Sequence, residues 1–256
     1  MPNKNTLFIG KVVHDFQALS STNSYAQNLL AKSKPIEGTV ISAATQTEGR
    51  GQIGSKWESP GGQSLSLSVI LYPGFLVARK QFELNMVTAL ALRDTLSVYA
   101  RSTVWVKWPN DIYLGHRKVA GILIQNQLSG QQVQHSIIGT GVNINQPSFP
   151  PELPGATSLY LDTGNRHDLP AVASAYLHTL EQRYLQLRGG QHVRLKRDYY
   201  QHLLGYQEQR TYRLPNGEEF VAEAAGVDET GRLLLRMGGQ LKAFGLKEIS
   251  LVPDYS

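Results

Sequence analysis

The chain has 256 residues and not one cysteine. That excludes a disulfide framework, thiolate metal ligands and a cysteine nucleophile, and it suits a reducing compartment such as the cytoplasm. No apolar run approaches the roughly 20 residues that a membrane helix requires. The apolar part of residues 1–10 is too short for a secretory signal peptide. No block of consecutive lysines and arginines points to nucleic acid. A G-x-S-x-G elbow, a Walker A lysine and an H-E-x-x-H pair are all missing, and the seven histidines show no metal-ligand spacing.

What remains is the composition of a soluble globular protein, 41% hydrophobic and 18% charged. The length accommodates one large domain or two unequal ones. A net charge of +5 has two readings, an affinity for phosphate-bearing or acidic partners or a mere scatter of solvated cations.

Hydrophobic periodicity divides the chain in two. Residues 12–19 read as a strand, and Ser20-Ser21-Thr22-Asn23 supplies N-cap residues for a helix over 25–31. Strands are expected at 39–44, 103–108, 119–125 and 132–139. Residues 64–69 alternate serine with leucine or valine, the pattern of a half-buried strand. Helical spacing covers 78–100, a Pro-rich loop 147–154, and two more helices 169–187 and 192–204. Helices interleaved irregularly with paired strands predict an α+β fold on a mixed or antiparallel sheet. Beyond Gly205 the pattern changes to five short strands (210–214, 220–227, 233–236, 241–244, 249–252), with a hairpin signal at Asn216-Gly217. These predict a small C-terminal β-barrel, and hence two domains, 1–205 and 206–256.

The most informative stretch is Gly49-Arg50-Gly51-Gln52-Ile53-Gly54-Ser55-Lys56-Trp57. Three glycines and two cations in nine residues make a loop whose N–H groups can approach an anion closely. Ser21-Thr22-Asn23 lies upstream. Lys107-Trp108-Pro109-Asn110-Asp111, Arg117-Lys118-Val119-Ala120-Gly121-Ile122-Leu123 and Gly139-Thr140-Gly141-Val142-Asn143 follow. The last is not a dinucleotide fingerprint, because a third glycine and a following helix are absent. In this order and at these separations, the motifs resemble the biotin–protein ligases, from about residue 11 to the C-terminus. Members of that family form biotinyl-adenylate from biotin and ATP and pass the biotin to a lysine of a carrier protein.

The resemblance implies a class II synthetase-like catalytic fold with a C-terminal barrel. About twenty residues precede Ser21, too few for the helix-turn-helix arm of some members, so a form without DNA binding is expected. Ser21, Thr22, Asn23 and Gln46 match the biotin contacts, and hydroxyls with amides at a helix start suit a ureido group. Arg50, Gly51 and Gln52 fall on the loop over biotin and its adenylate, and Arg50 can pair two oxygens at once. Gly121, Gly139 and Gly141 match glycines where the sheet approaches a flat ligand. Lys118 matches the lysine that contacts biotin and phosphate, and Lys107 is a second cation for the phosphates. Gly49, Arg50, Gln52, Lys107, Asn110, Lys118 and Asn143 are expected around ATP, with Trp57 either covering the adenine or packing in the core. Asp111 is a candidate ligand of Mg²⁺ or acceptor of the proton of the incoming lysine.

Where many members carry further basic residues in the loop, this chain has Gln52, Ile53 and Ser55. Less positive charge then faces the adenylate. The expected partner is a biotin carboxyl carrier domain of a biotin-dependent carboxylase, with no DNA or membrane; the chain is a possible homodimer. Two rivals stand beside this reading. One is a lipoate–protein ligase, which the polar Ser21-Thr22-Asn23 and Gln46 set disfavours. The other is a biotin-binding regulatory protein without turnover, which the presence of Lys107, Asp111 and Lys118 disfavours.

Overall fold

The computed structural model describes residues 5–52, 57 and 61–252. Residues 53–56 of the glycine loop, Ile53 and Ser55 among them, lie outside the described residues. The first half of the chain builds a seven-stranded sheet from β1 (Val13–Leu19), β2 (Val40–Gln46), β3 (Ser64–Leu71), β4 (Val104–Lys107), β5 (Asp111–Leu114), β6 (Arg117–Ser129) and β7 (Gln132–Asn143). Its order is β1-β2-β3-β7-β6-β5-β4. Only β1 and β2 run parallel, joined by the crossover helix α1 (Thr22–Lys32); every other pair is antiparallel. The sheet is therefore mixed, as the irregular interleaving predicts.

One face packs on α2 (Phe82–Leu96), which is buried on nearly every side, and through it on α4 (Leu169–Arg188) and α5 (His192–Gln201). A short α3 (Leu159–Thr163) precedes α4. Leucine and valine at alternate positions of β3 (Leu65, Leu67, Val69, Leu71) face this core. The other face carries α1 over a smaller cluster of Ala26, Ile41, Ile70 and Ile137. β3 is consequently buried along its whole length, not half-buried as its alternation suggests, because the serine face is roofed too.

The expected helix over 192–204 stops at Gln201. Residues 202–204 turn instead to the free edge of β4, where Val106 N–H donates to the His202 carbonyl at 2.8 Å and Leu204 N–H to that of Val106 at 2.8 Å. An unpaired strand edge competes for those groups and wins. At the other end of the chain, buried Glu181 of α4 accepts the backbone N–H groups of Leu7 (2.5 Å), Phe8 (2.7 Å) and Ile9 (2.8 Å), tying the N-terminal segment to the core.

The C-terminal strands β8 (Gln209–Arg213), β9 (Glu219–Val227), β10 (Leu233–Met237), β11 (Gln240–Phe244) and β12 (Ser250–Leu251) form an antiparallel sheet in the order β11-β10-β9-β8-β12. It curls strongly: Phe220 of β9 and Phe244 of β11, two strands apart, stack with centroids 6.3 Å apart, where a flat sheet separates such strands by about 9.5 Å. The curled sheet is hydrogen-bonded to the rest of the protein. Tyr200 Oη donates to the Val227 carbonyl (2.9 Å) and accepts from its N–H (3.0 Å), over Gly226, where φ is +126° and a side chain would strike the tyrosine ring. Trp108 Nε1 donates to the Gly231 carbonyl at 2.8 Å.

Candidate active site

The cleft arises from a gradient of side-chain size on one sheet face. Under α1 that face holds Ile70 and Ile137. One step along, Ser68 lies opposite Gly139; one step further, Ser66 lies opposite Gly141, which is itself opposite Gly121 on β6. Shrinking side chains lower the floor where α1 begins, and a cavity of about 170 Å³ opens there. Its lining includes Ser21, Thr22, Asn23 and Gln46 on one side, and Asn110, Asp111 and Lys118 on the other. Arg50, Gly51, Gln52 and Trp57 close it from the loop. Residues separated by a hundred positions in sequence thus meet in one place.

The helix start is polar and buried. Ser21 takes the N-cap conformation, but its hydroxyl makes no capping hydrogen bond. Thr22 N–H donates to Gln46 Oε1 at 2.8 Å, and Thr22 Oγ1 lies 3.2 Å from the same atom. Asn23 Nδ2 donates to the Leu123 carbonyl (3.2 Å) and to Gln125 Oε1 (3.1 Å). Ser68 Oγ lies 2.7 Å from Thr22 Oγ1 and 2.6 Å from Asn23 Oδ1. Ser68 and Gln125 are absent from the sequence-derived set. The serine–leucine alternation of β3 is the one signal that marks Ser68, and it reads as an ordinary amphipathic strand.

The glycines on the sheet admit protein side chains. A Cβ at Gly139 would collide with the Asn23 amide, and one at Gly141 with the Trp57 indole. At Gly121 it would come 3.2 Å from that indole and 3.5 Å from Lys118 Nζ. Trp57 is held through its N–H to the Gly49 carbonyl at 2.9 Å, and a side chain at Gly49 would strike the Trp57 carbonyl. The indole thus lies on the cleft floor, with Lys118 Nζ 5.7 Å from the ring centroid. Its own N–H is buried without a partner among the described residues.

At the far end, Lys118 Nζ and Asp111 Oδ1 form an ion pair of 2.6 Å, with side chains 34% and 20% exposed, so the charges are shielded from water yet reachable by a ligand. The backbone of Lys118 is pinned from both sides, its N–H to the Gly155 carbonyl (2.7 Å) and its carbonyl to Thr157 N–H (2.8 Å). Asn110 donates through Nδ2 to the Ile122 carbonyl at 2.6 Å, closing the β4–β5 turn onto β6. Lys107 points elsewhere. Its ammonium donates to Tyr113 Oη at 3.0 Å and lies 5.0 Å from the ring centroid. It lines an adjoining cavity of about 410 Å³ between the Trp108–Asp111 turn and the C-terminal sheet. Gln52, Asn110 and Asp111 border both cavities. Burial raises the Tyr212 phenol on the wall of the second cavity to about 12. Asn143 lines neither cavity. It is buried at the end of β7, donating to the Thr157 carbonyl (3.0 Å) and accepting from Gln146 Nε2 (3.0 Å).

Among the described residues no group of three or more His, Cys, Asp or Glu side chains is placed to hold a metal ion. A lone carboxylate, Asp111, beside the cavities does fit Mg²⁺ of the kind that arrives on a nucleotide and keeps phosphate and water ligands.

A polar recognition pocket joined to a lysine–carboxylate pair under a glycine loop is the equipment of an enzyme that activates a small carboxylic acid. The model of the biotin/lipoate A/B protein ligase family matches residues 15–143, and the chain belongs to that family. It is 34% identical over 236 residues to the bifunctional ligase/repressor BirA of Bacillus spizizenii, an alignment covering 91% of this chain and 72% of the relative. It is 32% identical over 225 residues to the biotin–[acetyl-CoA-carboxylase] ligase of Mycobacterium tuberculosis, covering 86% and 81%. Its fold superposes on the biotin protein ligase from Aquifex aeolicus in complex with biotin and ATP with a TM-score of 0.78 and 26% identity, covering 95% of this chain and all of that one.

Proposed function

We infer that this chain is an ATP-dependent biotin–protein ligase. The observation that carries the reading is the junction, in one cleft, of a buried hydroxyl–amide pocket at the start of α1 with the Lys118–Asp111 pair. A ureido ring needs acceptors and donors at fixed positions; a dithiolane needs neither, which supports biotin over lipoate.

In the first half-reaction a biotin carboxylate oxygen attacks the α-phosphorus of ATP, the bond to the bridging oxygen breaks, and pyrophosphate leaves. Charge rises on the α-phosphoryl oxygens, where a cation already in place stabilises it without reorganisation. Lys118 supplies that cation. Arg50, on the loop beside it, orients the carboxylate and then the acyl phosphate. Lys107 serves the leaving phosphates from the adjoining cavity. Asp111 would hold Mg²⁺ together with the nucleotide, which neutralises phosphate charge. In the second half-reaction the carrier lysine amine attacks the acyl carbon, Asp111 accepts the amine proton, and AMP departs. Trp57, with Arg50, Gly51 and Gln52 at the cavity, excludes water from the mixed anhydride.

The acceptor lysine belongs to the carrier domain of a biotin-dependent carboxylase, in keeping with the name of the mycobacterial relative. The absence of cysteine fits work in the cytoplasm. The test is biotin-dependent exchange of pyrophosphate into ATP, followed by the mass increase of an added carrier domain. Exchange that proceeds equally with lipoate, or biotin binding without any exchange, would overturn the reading in favour of one of its two rivals.

A further inference from the structure

The polar pocket contains fewer protons than short contacts. Three oxygen–oxygen contacts run through it: Gln46 Oε1 to Thr22 Oγ1 at 3.2 Å, Thr22 Oγ1 to Ser68 Oγ at 2.7 Å, and Ser68 Oγ to Asn23 Oδ1 at 2.6 Å. Only two hydroxyl hydrogens serve them, because amide oxygens accept and do not donate. Both amides have fixed senses. Asn23 spends its Nδ2 hydrogens on the Leu123 carbonyl and Gln125 Oε1, so its oxygen must face Ser68. Gln46 Oε1 already accepts Thr22 N–H at 2.8 Å.

The shortest contact cannot go without a proton, since two sets of lone pairs would face each other at 2.6 Å. The Ser68 hydrogen therefore goes to Asn23 Oδ1. The Thr22 hydrogen must then fill the 2.7 Å contact to Ser68. The longest contact, Thr22 Oγ1 to Gln46 Oε1, is left with two acceptors and no hydrogen between them. Both residues line the cavity.

We propose that Ser68 is a positioning residue that fixes the direction of a hydroxyl relay, Thr22 to Ser68 to Asn23, and thereby makes Thr22 Oγ1 and Gln46 Oε1 a paired acceptor for one ureido N–H of biotin. This deepens the ligase reading and rests on it. Asn23, in the biotin-contact motif, donates nothing to the ligand; its amide is the end stop of the relay, seated against the bare backbone of Gly139. Ser68 touches no ligand atom in this scheme. It acts through Thr22.

The test uses the full chain, biotin, and the two oxazolidinone analogues in which one or the other ureido N–H is replaced by oxygen, each measured in pyrophosphate exchange. The wild type should reject one isomer over the other by about tenfold, the size of one hydrogen bond with its acceptor left unpaired. Ser68→Ala returns the Thr22 hydrogen to Gln46 and cancels the paired acceptor. It should raise the KM for biotin about tenfold, leave the KM for ATP and the kcat at saturating biotin unchanged, and erase most of the discrimination between the isomers. Ser68→Cys, which keeps a weak donor, should fall between the two, and it carries the same comparison if the alanine variant does not fold. An unchanged biotin KM would overturn the relay. So would a raised KM with the isomer discrimination intact, which marks a merely structural serine. A wild type without biotin-dependent exchange would instead overturn the ligase reading on which the relay depends.

Discussion

The two sheets of this protein use their side chains in opposite ways. In the seven-stranded sheet, glycine and serine occupy central positions on β3, β6 and β7 where branched side chains would pack best, and interior glycine weakens a strand. The five-stranded sheet keeps its hairpins with stacked rings, Tyr212 on Phe220 and Phe220 on Phe244, and with ion pairs such as Arg213–Glu219 at 2.6 Å and Arg232–Asp228 at 2.7 Å. One sheet lowers its side chains along a cleft, where Asn23 and Trp57 come down over the glycines; the other keeps its ring stacks and ion pairs, with Gly226 under Tyr200 as its exception. Substitutions in the first should therefore act on turnover, and in the second on stability.

The largest expected effect is that of Lys118→Ala. Removing a fixed cation from the α-phosphate should slow adenylate formation by roughly 10²-fold or more, about 3 kcal/mol. Stability should change by less than about 1 kcal/mol, because the side chain is one-third exposed and such ion pairs contribute little to folding. Pyrophosphate exchange at the wild-type rate would remove Lys118 from the mechanism. Gly139→Ala is designed to break the contrast. In an ordinary strand, filling a glycine stabilises by up to about 1 kcal/mol. Here the methyl group meets the Asn23 amide, so the variant should lose roughly 1–3 kcal/mol in urea unfolding and bind biotin at least tenfold more weakly in calorimetry. A more stable variant with full biotin affinity would show that Asn23 has room to move.

The same contrast explains what the sequence discloses. Ser21, Thr22 and Asn23 read alone as an ordinary helix cap, and Asp111 and Lys118 as turn and strand residues; with Gln46 they become legible as site candidates only through the order and spacing of the motifs, and all six line one cavity. Ser68 is not, because its serine–leucine neighbours read as any amphipathic strand, and only tertiary structure shows that both faces are covered. Gln125 reads as the polar end of a strand until Asn23 arrives from a hundred residues away. Lys107 and Asn143 lie within the motifs, yet Tyr113 draws one toward the adjoining cavity and Thr157 with Gln146 engages the other at the end of β7. Among the elements, β5 has no counterpart among the expected strands, because Trp108-Pro109-Asn110 breaks the pattern at a proline and the four residues that follow are too few to stand out. The strand edge of β4, which cuts α5 short, has no local signature at all.

A smaller effect should come from the turn of the C-terminal sheet. Burial alone would raise the Asp228 carboxyl, but hydrogen bonds from Thr230 and Arg232 overcome it and hold the group at about 2. A depressed carboxyl stabilises the fold above its unfolded pKa of about 4, and that stability disappears as the pH falls from about 4 to 2. Allowing for solvent screening, the contribution is roughly 1–2 kcal/mol. Asp228→Asn should lose this amount at pH 7 and lose correspondingly less between pH 4 and 2 than the wild type. Urea titrations of both proteins at pH 7 and pH 2.5 test it; parallel losses would assign the acid sensitivity to other carboxylates.

The smallest expected effect returns to the catalytic sheet. Gln52 borders both cavities, at the junction between the acid pocket and the space beside Lys107. The resemblance to the biotin–protein ligases places it where many members carry an arginine, and on that expectation one charge fewer would face an adenylate. Gln52→Arg should add a charge-assisted contact to a partly exposed phosphate, on the order of 1 kcal/mol, and so lengthen the lifetime of bound biotinyl-adenylate about fivefold. Formation of the adenylate should change less if, as proposed, Lys118 is the cation that serves the reacting phosphorus. Single-turnover loss of labelled adenylate, with carrier domain withheld, separates the two steps. Equal lifetimes in the two proteins would mean that the cleft retains its intermediate by shape, through Trp57 packed on Gly121 and Gly141, and that charge at the junction is irrelevant to retention.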